Sequence, residues 1–222
     1  MSKAVKLLVC AFEASGKSTI TSTINDALVI NFDHKEYGFK VPHVNSVAFT
    51  GMDNLVDLLN TKVGAYQEKF NKLPATIVLD TVTQFYTAMA KYNGEKYAGF
   101  DIHANNNKDT LSLNGYIEET LIANGVNVII VAHTVYDAET SRHIIPASGQ
   151  FAKAGSWMSV VNDAIFIEKK SGKLVVHQKS LKFPCRSTLE KIEASVPVED
   201  YDINEHIARL TGSKVEALEF EL

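Results

Sequence analysis

The segment "CAFEASGKST", Cys10 to Thr19, places Gly16, Lys17 and Ser18 directly after an apolar run. Glycine, lysine and a hydroxyl residue in that order form the exacting half of the pattern G-x-x-x-x-G-K-[ST]. In that pattern backbone N–H groups wrap the phosphates, the lysine reaches the outer ones and the hydroxyl binds Mg²⁺. The first glycine of the pattern is here Ala11. Where φ is negative an added methyl forbids little, so the loop is expected to bind ATP with Mg²⁺ despite the replacement. Its cradle comprises Ala11, Phe12, Glu13, Ala14, Ser15, Gly16, Lys17, Ser18 and Thr19. Glu13 is expected to point outward, because a carboxylate among phosphates repels them. The plain alternative is a small-residue turn that happens to precede Lys-Ser.

Hydrolysis asks for more than binding: a second anchor for Mg²⁺ and a group that orients or deprotonates water. Asp80, which closes "TIVLD", is the natural partner of Ser18 at the metal. It is equally placed to cap the helix that "DTVT" begins. Asp33, closing "VINFD", is the candidate for activating water, with Glu36 as a second choice and a helix cap or surface acid as the ordinary reading. His133, near the end of "VNVIIVAHT" and followed by Thr134, is the candidate γ-phosphate sensor. A satisfied histidine at a strand end is its ordinary reading. Lys17, Asp33, Asp80 and His133 are thus the expected catalytic set, and Ser18 and Asp80 the expected metal ligands.

These residues need a scaffold that brings strand ends together. "AVKLLVCA", "ALVINFD", "ATIVLD" and "VNVIIVAHT" read as buried parallel strands. A shorter strand is expected at "SVAFT", Ser46–Thr50. Helices are expected at about 17–26, from Asp53 to a stop at Pro74, over "TVTQFYTAMAKY", and at about 109–123. Polar stretches at 93–108 and 136–155 read as loops. "DAIFIEKKSGKLVVHQK" reads as two strands about a Ser171-Gly172 turn. Alternating strand and helix imply an α/β fold: a mostly parallel central sheet flanked by helices, with a C-terminal β-hairpin. Ligands then bind at the carboxyl ends of the strands.

Composition agrees with one globular unit. The chain has 222 residues, 45% apolar and 22% charged, with net charge −4. That charge gives no global attraction to nucleic acid. Seven acids against Arg209 and Lys214 follow Val196, so the acidic bias gathers at the C-terminal end. This divides the chain into a core at 1–195 and an acidic helix and tail at 196–222, either a solvated terminus or a segment that docks a partner or competes with nucleic acid. Two cysteines far apart argue against a disulfide framework and for a reducing compartment. No apolar run approaches a membrane span of ~20 residues, and no charged-then-apolar leader opens the chain.

Together, "AFEASGKST", "INFDH", "TIVLDT" and "VIIVAHT", in that order, resemble the ATPase core of RecA-type recombinases. More narrowly they are similar to the short phage RecA-like ATPases that promote single-strand annealing. The resemblance implies a RecA-like P-loop NTPase in which Asp33 stands where the family has a water-activating glutamate. It also puts His133 where the family has an amide sensor. "VVHQKSLKFP" resembles a strand whose lysines reach the ATP of a neighbouring subunit, which suggests Lys179 and Lys182, with Arg186 as a third candidate. The two polar stretches correspond in order to the family's DNA-binding loops. The first carries Lys96, Tyr97, Phe100, His103 and Lys108. The second carries Tyr136, Arg142, His143, Phe151, Lys153 and Trp157.

What the resemblance implies is an ATPase stimulated by single-stranded DNA, acting in recombination or annealing as a homo-oligomer. It further implies contact with a single-stranded-DNA-binding protein, no membrane association, and the cytoplasm of a bacterial host if phage-encoded. Two other readings stand beside it. One is a small-molecule P-loop kinase, which the scarcity of arginine disfavours. The other is a nucleotide-stabilised protein-interaction module without turnover.

Overall fold

A computed structural model of the protein describes residues 4–34, 36–45, 48–146, 151 and 156–212. The elements run β1 (Lys6–Ala11), α1 (Lys17–Thr21), β2 (Ala27–Asn31), β3 (His43–Val44), α2 (Met52–Phe70), β4 (Thr76–Asp80), α3 (Val82–Lys96) and α4 (Phe100–Tyr116). A π-helical turn, Ile117–Ile122, leads to β5 (Asn127–His133), β6 (Val135–Asp137) and β7 (Arg142–Ile144). Then follow α5 (Trp157–Val160), β8 (Asp163–Lys170), β9 (Lys173–His177) and β10 (Ser195–Pro197). A final helix, α6, spans Ile203–Gly212.

Eight strands form one sheet in the order β10-β9-β8-β1-β5-β4-β2-β3. β1 pairs in parallel with β5 and β8, and β4 with β5 and β2. Its antiparallel pairings are β8–β9 and β9–β10, so among these eight strands β9 alone runs against the rest. This is the mostly parallel α/β sheet with a C-terminal hairpin that alternation implied. β1 is buried on both faces because its side chains feed two cores. Leu8 and Cys10 join Ile30, Leu79, Ile130 and Phe166 beneath α2, α3 and α4. Leu7, Val9 and Ala11 join Val29, Val78, Ile129 and Ile165 beneath α1 and α6. Such two-sided burial explains the near-continuous apolar runs. Among the described residues no helix is long and apolar enough to cross a membrane.

Several local expectations are corrected. The polar stretch 93–108 is not a loop: α3 continues to Lys96 and α4 starts at Phe100. Its buried face is amide rather than apolar, so no periodicity shows. Asn93 Nδ2 donates to Asn106 Oδ1 and Asp109 Oδ2, both at 2.9 Å, and Thr110 Oγ1 donates to the Asn106 carbonyl at 2.8 Å. The helix expected to reach Ala123 changes to π-helical pitch after Tyr116. α1 stops at Thr21 rather than near Asp26, where Thr21 and Thr23 hydroxyls donate back to the carbonyls of Lys17 and Ile20. β2 closes at Asn31, two residues short of Asp33, because Asn31 Oδ1 accepts the Asp33 N–H (3.0 Å) and turns the chain.

No strand occupies 48–50; Ser46 and Val47 lie outside the described residues, and the edge strand is β3 instead. Within 136–155 a small antiparallel hairpin, β6–β7, forms. Lys153 lies outside the described residues, whereas Phe151 and Trp157 are buried against each other (5.1 Å) rather than offered as stacking platforms. The Ser171-Gly172 turn is as expected: φ is 50° and 81° at its two residues, as a tight hairpin between right-twisted strands requires.

Beyond residue 195, β10 joins the sheet and α6 buries Ile203, His206, Ile207 and Leu210. The acidic residues Glu216, Glu219 and Glu221 lie outside the described residues.

Candidate nucleotide-binding site

The carboxyl ends of β1, β4 and β5 open into a cavity of about 520 Å³. Its floor is the loop from Glu13 to Thr19. The loop turns through left-handed backbone at Ala14 (φ 52°) and Gly16 (φ 80°). A side chain at Gly16 is strained by its φ, and its Cβ would meet Leu174 Cδ1, the movable end of that side chain, at 2.9 Å. Ala11 needs no such freedom. It lies inside β1, paired with His133 and Ile167, and its methyl belongs to the core beneath α1. The missing first glycine therefore places no methyl in the cavity. Phe12 also keeps its ring out of the cavity, against His143 (4.7 Å) and Phe166 (5.9 Å). Its carbonyl faces inward and accepts Lys17 Nζ at 2.6 Å. Since α1 is five residues long, the loop's own amides, not a long helix dipole, supply the positive lining.

Lys17 is only 5% exposed. Burial pushes its ammonium down to about 8, and Asp80, Cys10, Asp33 and Glu13 pull against that shift. Ser18 Oγ donates to Asp80 Oδ2 at 2.9 Å. A hydroxyl and a carboxylate that close are two hard oxygen donors suited to Mg²⁺, which keeps few protein ligands and completes its shell with water and phosphate. Among the described residues no cluster of three or more His, Cys, Asp or Glu forms a separate metal cage. Helix capping beside Asp80 falls to the next residue: Thr81 Oγ1 accepts the Gln84 N–H (3.2 Å).

Strand order decides the rest. β5 lies between β1 and β4, so His133 comes to the rim between the loop and Asp80 and lines the cavity. Its backbone N–H donates to Thr83 Oγ1 (2.9 Å), tying the strand end to α3. Asp33 lines the same cavity, and Glu36 does not. Lys179 and Lys182 are exposed outside it, Lys182 over the ring of Phe183 (5.1 Å). Arg186 is held elsewhere, donating to the Val161 carbonyl (2.5 Å).

Four lining residues went unnoticed in the sequence: Thr81, next to Asp80, and Lys169, Gly172 and Leu174. The last three sit around the β8–β9 turn. β8 is the parallel neighbour of β1, with Ile167 opposite Ala11, so the chain beyond it overhangs the loop. The basic turn "KKSGK" was visible in the sequence, but its strand's place in the sheet was not.

A parallel α/β sheet with a lysine-bearing phosphate loop at its central strand, facing a strand-end aspartate, defines a P-loop nucleotide-binding protein. A family model described as "AAA domain" matches residues 3–149, and the chain belongs to that family. It is accordingly a P-loop ATPase of AAA type. The matched span includes the loop, Asp33, Asp80 and His133, and stops before β8. No curated protein matches the chain.

Proposed function

We propose that this protein hydrolyses ATP with Mg²⁺ in the manner of RecA-like ATPases, and that the nucleotide state governs binding and annealing of single-stranded DNA. The observation that carries the ATPase part is the contact of Ser18 Oγ with Asp80 Oδ2 beside a buried Lys17, within one cavity. Ser18 and Asp80 hold the metal, which when bound neutralises charge on the outer phosphates. Lys17 leaves the Phe12 carbonyl for those phosphates, and the amides from Glu13 to Ser18 surround them. Asp33 orients the attacking water, a role for which it, unlike Glu36, borders the cavity. His133 contacts the γ-phosphate from between the loop and Asp80. Lys169 adds positive charge from the hairpin above.

The DNA part rests on the connection between the phosphate loop and β6–β7. Phe12 packs on His143, which also meets Tyr136 (5.3 Å) across the hairpin. A displacement of Phe12 on nucleotide binding therefore moves the hairpin. Tyr136, 55% exposed, and the exposed Arg142 offer a base-stacking face and a phosphate contact there. With 93–108 helical, this hairpin is the better of the two DNA candidates. Lys179 and Lys182 serve the ATP of an adjoining copy.

Phosphate release measured with and without single-stranded DNA tests both parts. DNA should accelerate turnover, and Tyr136→Ala with Arg142→Ala should remove the acceleration while leaving the basal rate. Asp33→Asn should retain ATP affinity and slow turnover at least about a hundredfold, the low end for loss of acid–base assistance. No release under any condition defeats the ATPase reading; release indifferent to DNA defeats only the second part.

A further inference from the structure

A second cavity, about 540 Å³, lies at the opposite edge of the sheet between β3 and α2. Its apolar surface comes from Phe39, Val44, Tyr66 and Phe70, the last 41% exposed. Lys40, Lys62 and Lys69 line it as well, and no carboxylate does. Among the described residues none of these three lysines forms an ion pair; Lys69 Nζ stands 5.5 Å from the Phe70 ring centroid instead. A greasy groove with three uncompensated cations selects a ligand that alternates apolar and acidic groups. The backbone edge itself offers little: β3 is two residues long and follows Pro42, features that blunt strand addition. Recognition here is through side chains.

The chain carries a segment of that chemistry. Residues 213–222, "SKVEALEFEL", place Glu216, Glu219 and Glu221 among Leu218, Phe220 and Leu222. We infer that this segment docks in the β3–α2 groove of a second copy of the chain. Its glutamates meet the three lysines, and Phe220 with its leucine neighbours covers the apolar surface. The second copy follows from reach. α6 is anchored at β8 by His206 Nε2 on Asp163 (3.1 Å), and further along by Arg209 on the Glu190 carbonyl (3.2 Å). β3 lies five strand positions from β8, about 24 Å at ~4.8 Å per position. Ten extended residues span about 34 Å, so residues 213–222, if they bridged within one chain, would spend most of their length on the crossing and could not themselves fill the groove. Tail into groove between copies is a heterologous contact, which propagates or closes into a ring.

The test is assembly by sedimentation across the micromolar range. The full chain should associate with rising concentration. A chain ending at Gly212 and a full-length Lys62→Glu/Lys69→Glu chain should each stay monomeric. Mixed together they should form a one-to-one dimer and nothing larger, since one brings the groove and the other the segment. In parallel, a labelled peptide of residues 213–222 should bind the shortened chain, weaken in high salt, and lose affinity at least about tenfold with Phe220→Ala. Assembly that survives either variant overturns the inference, as does a mixture that remains monomeric. A full chain that is monomeric throughout overturns it too, even if the peptide binds.

Discussion

Lys17 is the residue whose environment makes the sharpest demand. Its amine titrates near 8 because burial disfavours the ammonium. Phosphate binding requires that ammonium. Affinity for a non-cleavable ATP analogue should therefore be flat well below pH 8. Above it affinity should fall by up to about tenfold per pH unit, with one proton taken up on binding. Calorimetry in buffers of differing ionisation enthalpy measures both, and an affinity flat to pH 9.5 or so would contradict the assignment. Lys17→Ala should cost at least about tenfold in affinity, since hydrogen bonds to a charged group contribute ~1.5–3 kcal/mol. Ala11 marks the opposite case. Its type departs from the pattern, yet its methyl lies in the core, so Ala11→Gly should leave analogue affinity within a factor of about two, as expected of a side chain that makes no contact with ligand.

Two elements carry consequences of their own. The β8–β9 hairpin presses Leu174 towards Gly16. Gly16→Ala should impair analogue binding. Adding Leu174→Ala relieves the contact but not the positive φ, which for a residue with a Cβ costs ~1–2 kcal/mol. The double variant should thus remain impaired, and full recovery would locate the whole effect in the contact. At the other end of β8, Asp163 is fully buried and accepts from Ser187 Oγ (2.5 Å), Thr188 N–H (2.6 Å) and His206 (3.1 Å). Burial alone favours the neutral acid. Hydrogen bonds from His206, Ser187 and Thr188 outweigh it and hold the carboxyl below its ordinary value of 3.8. A lowered carboxylate stabilises the fold above the unfolded value and ceases to do so as pH falls through the folded one. Acid unfolding should accordingly begin below pH 3.8, with release of α6. Asp163→Ala should cost about 3–5 kcal/mol in urea titrations, as removal of one partner of a buried pair does.

At the scale of the whole molecule, site and scaffold separate cleanly. Ligand that binds only the folded state raises stability by about 2.7 kcal/mol at a hundredfold excess over Kd. Thermal melts should show that shift in the native chain and in the destabilised Asp163→Ala, but not in Lys17→Ala. A shift retained in Lys17→Ala would place the nucleotide elsewhere. The cavity lies at the ends of β1, β4 and β5, lined within the AAA-matched span except for Lys169, Gly172 and Leu174. The groove at β3 occupies the far edge of the sheet from the β8–β9 hairpin.

What the sequence determined by itself is local. A strand buried on both faces must be apolar throughout, and a phosphate loop needs glycine, lysine and hydroxyl in adjacent positions. β1, β4, β5 and the roles open to Lys17, Ser18 and Asp80 were therefore legible. The first half of α4 was not, because its inner face is satisfied by the amides Asn93 and Asn106, whose types also suit loops. Nor was the burial of Phe151 and Trp157, since an aromatic ring reads alike in a core and on a binding face. Only the tertiary structure decided strand order. That order sets His133 between the loop and Asp80, hangs Lys169 and Leu174 over the phosphate loop, and leaves Glu36, Lys179 and Lys182 outside the cavity. Neighbouring strands are chosen by long-range packing of two cores against one sheet, and no short stretch of residues encodes which strand lies beside which.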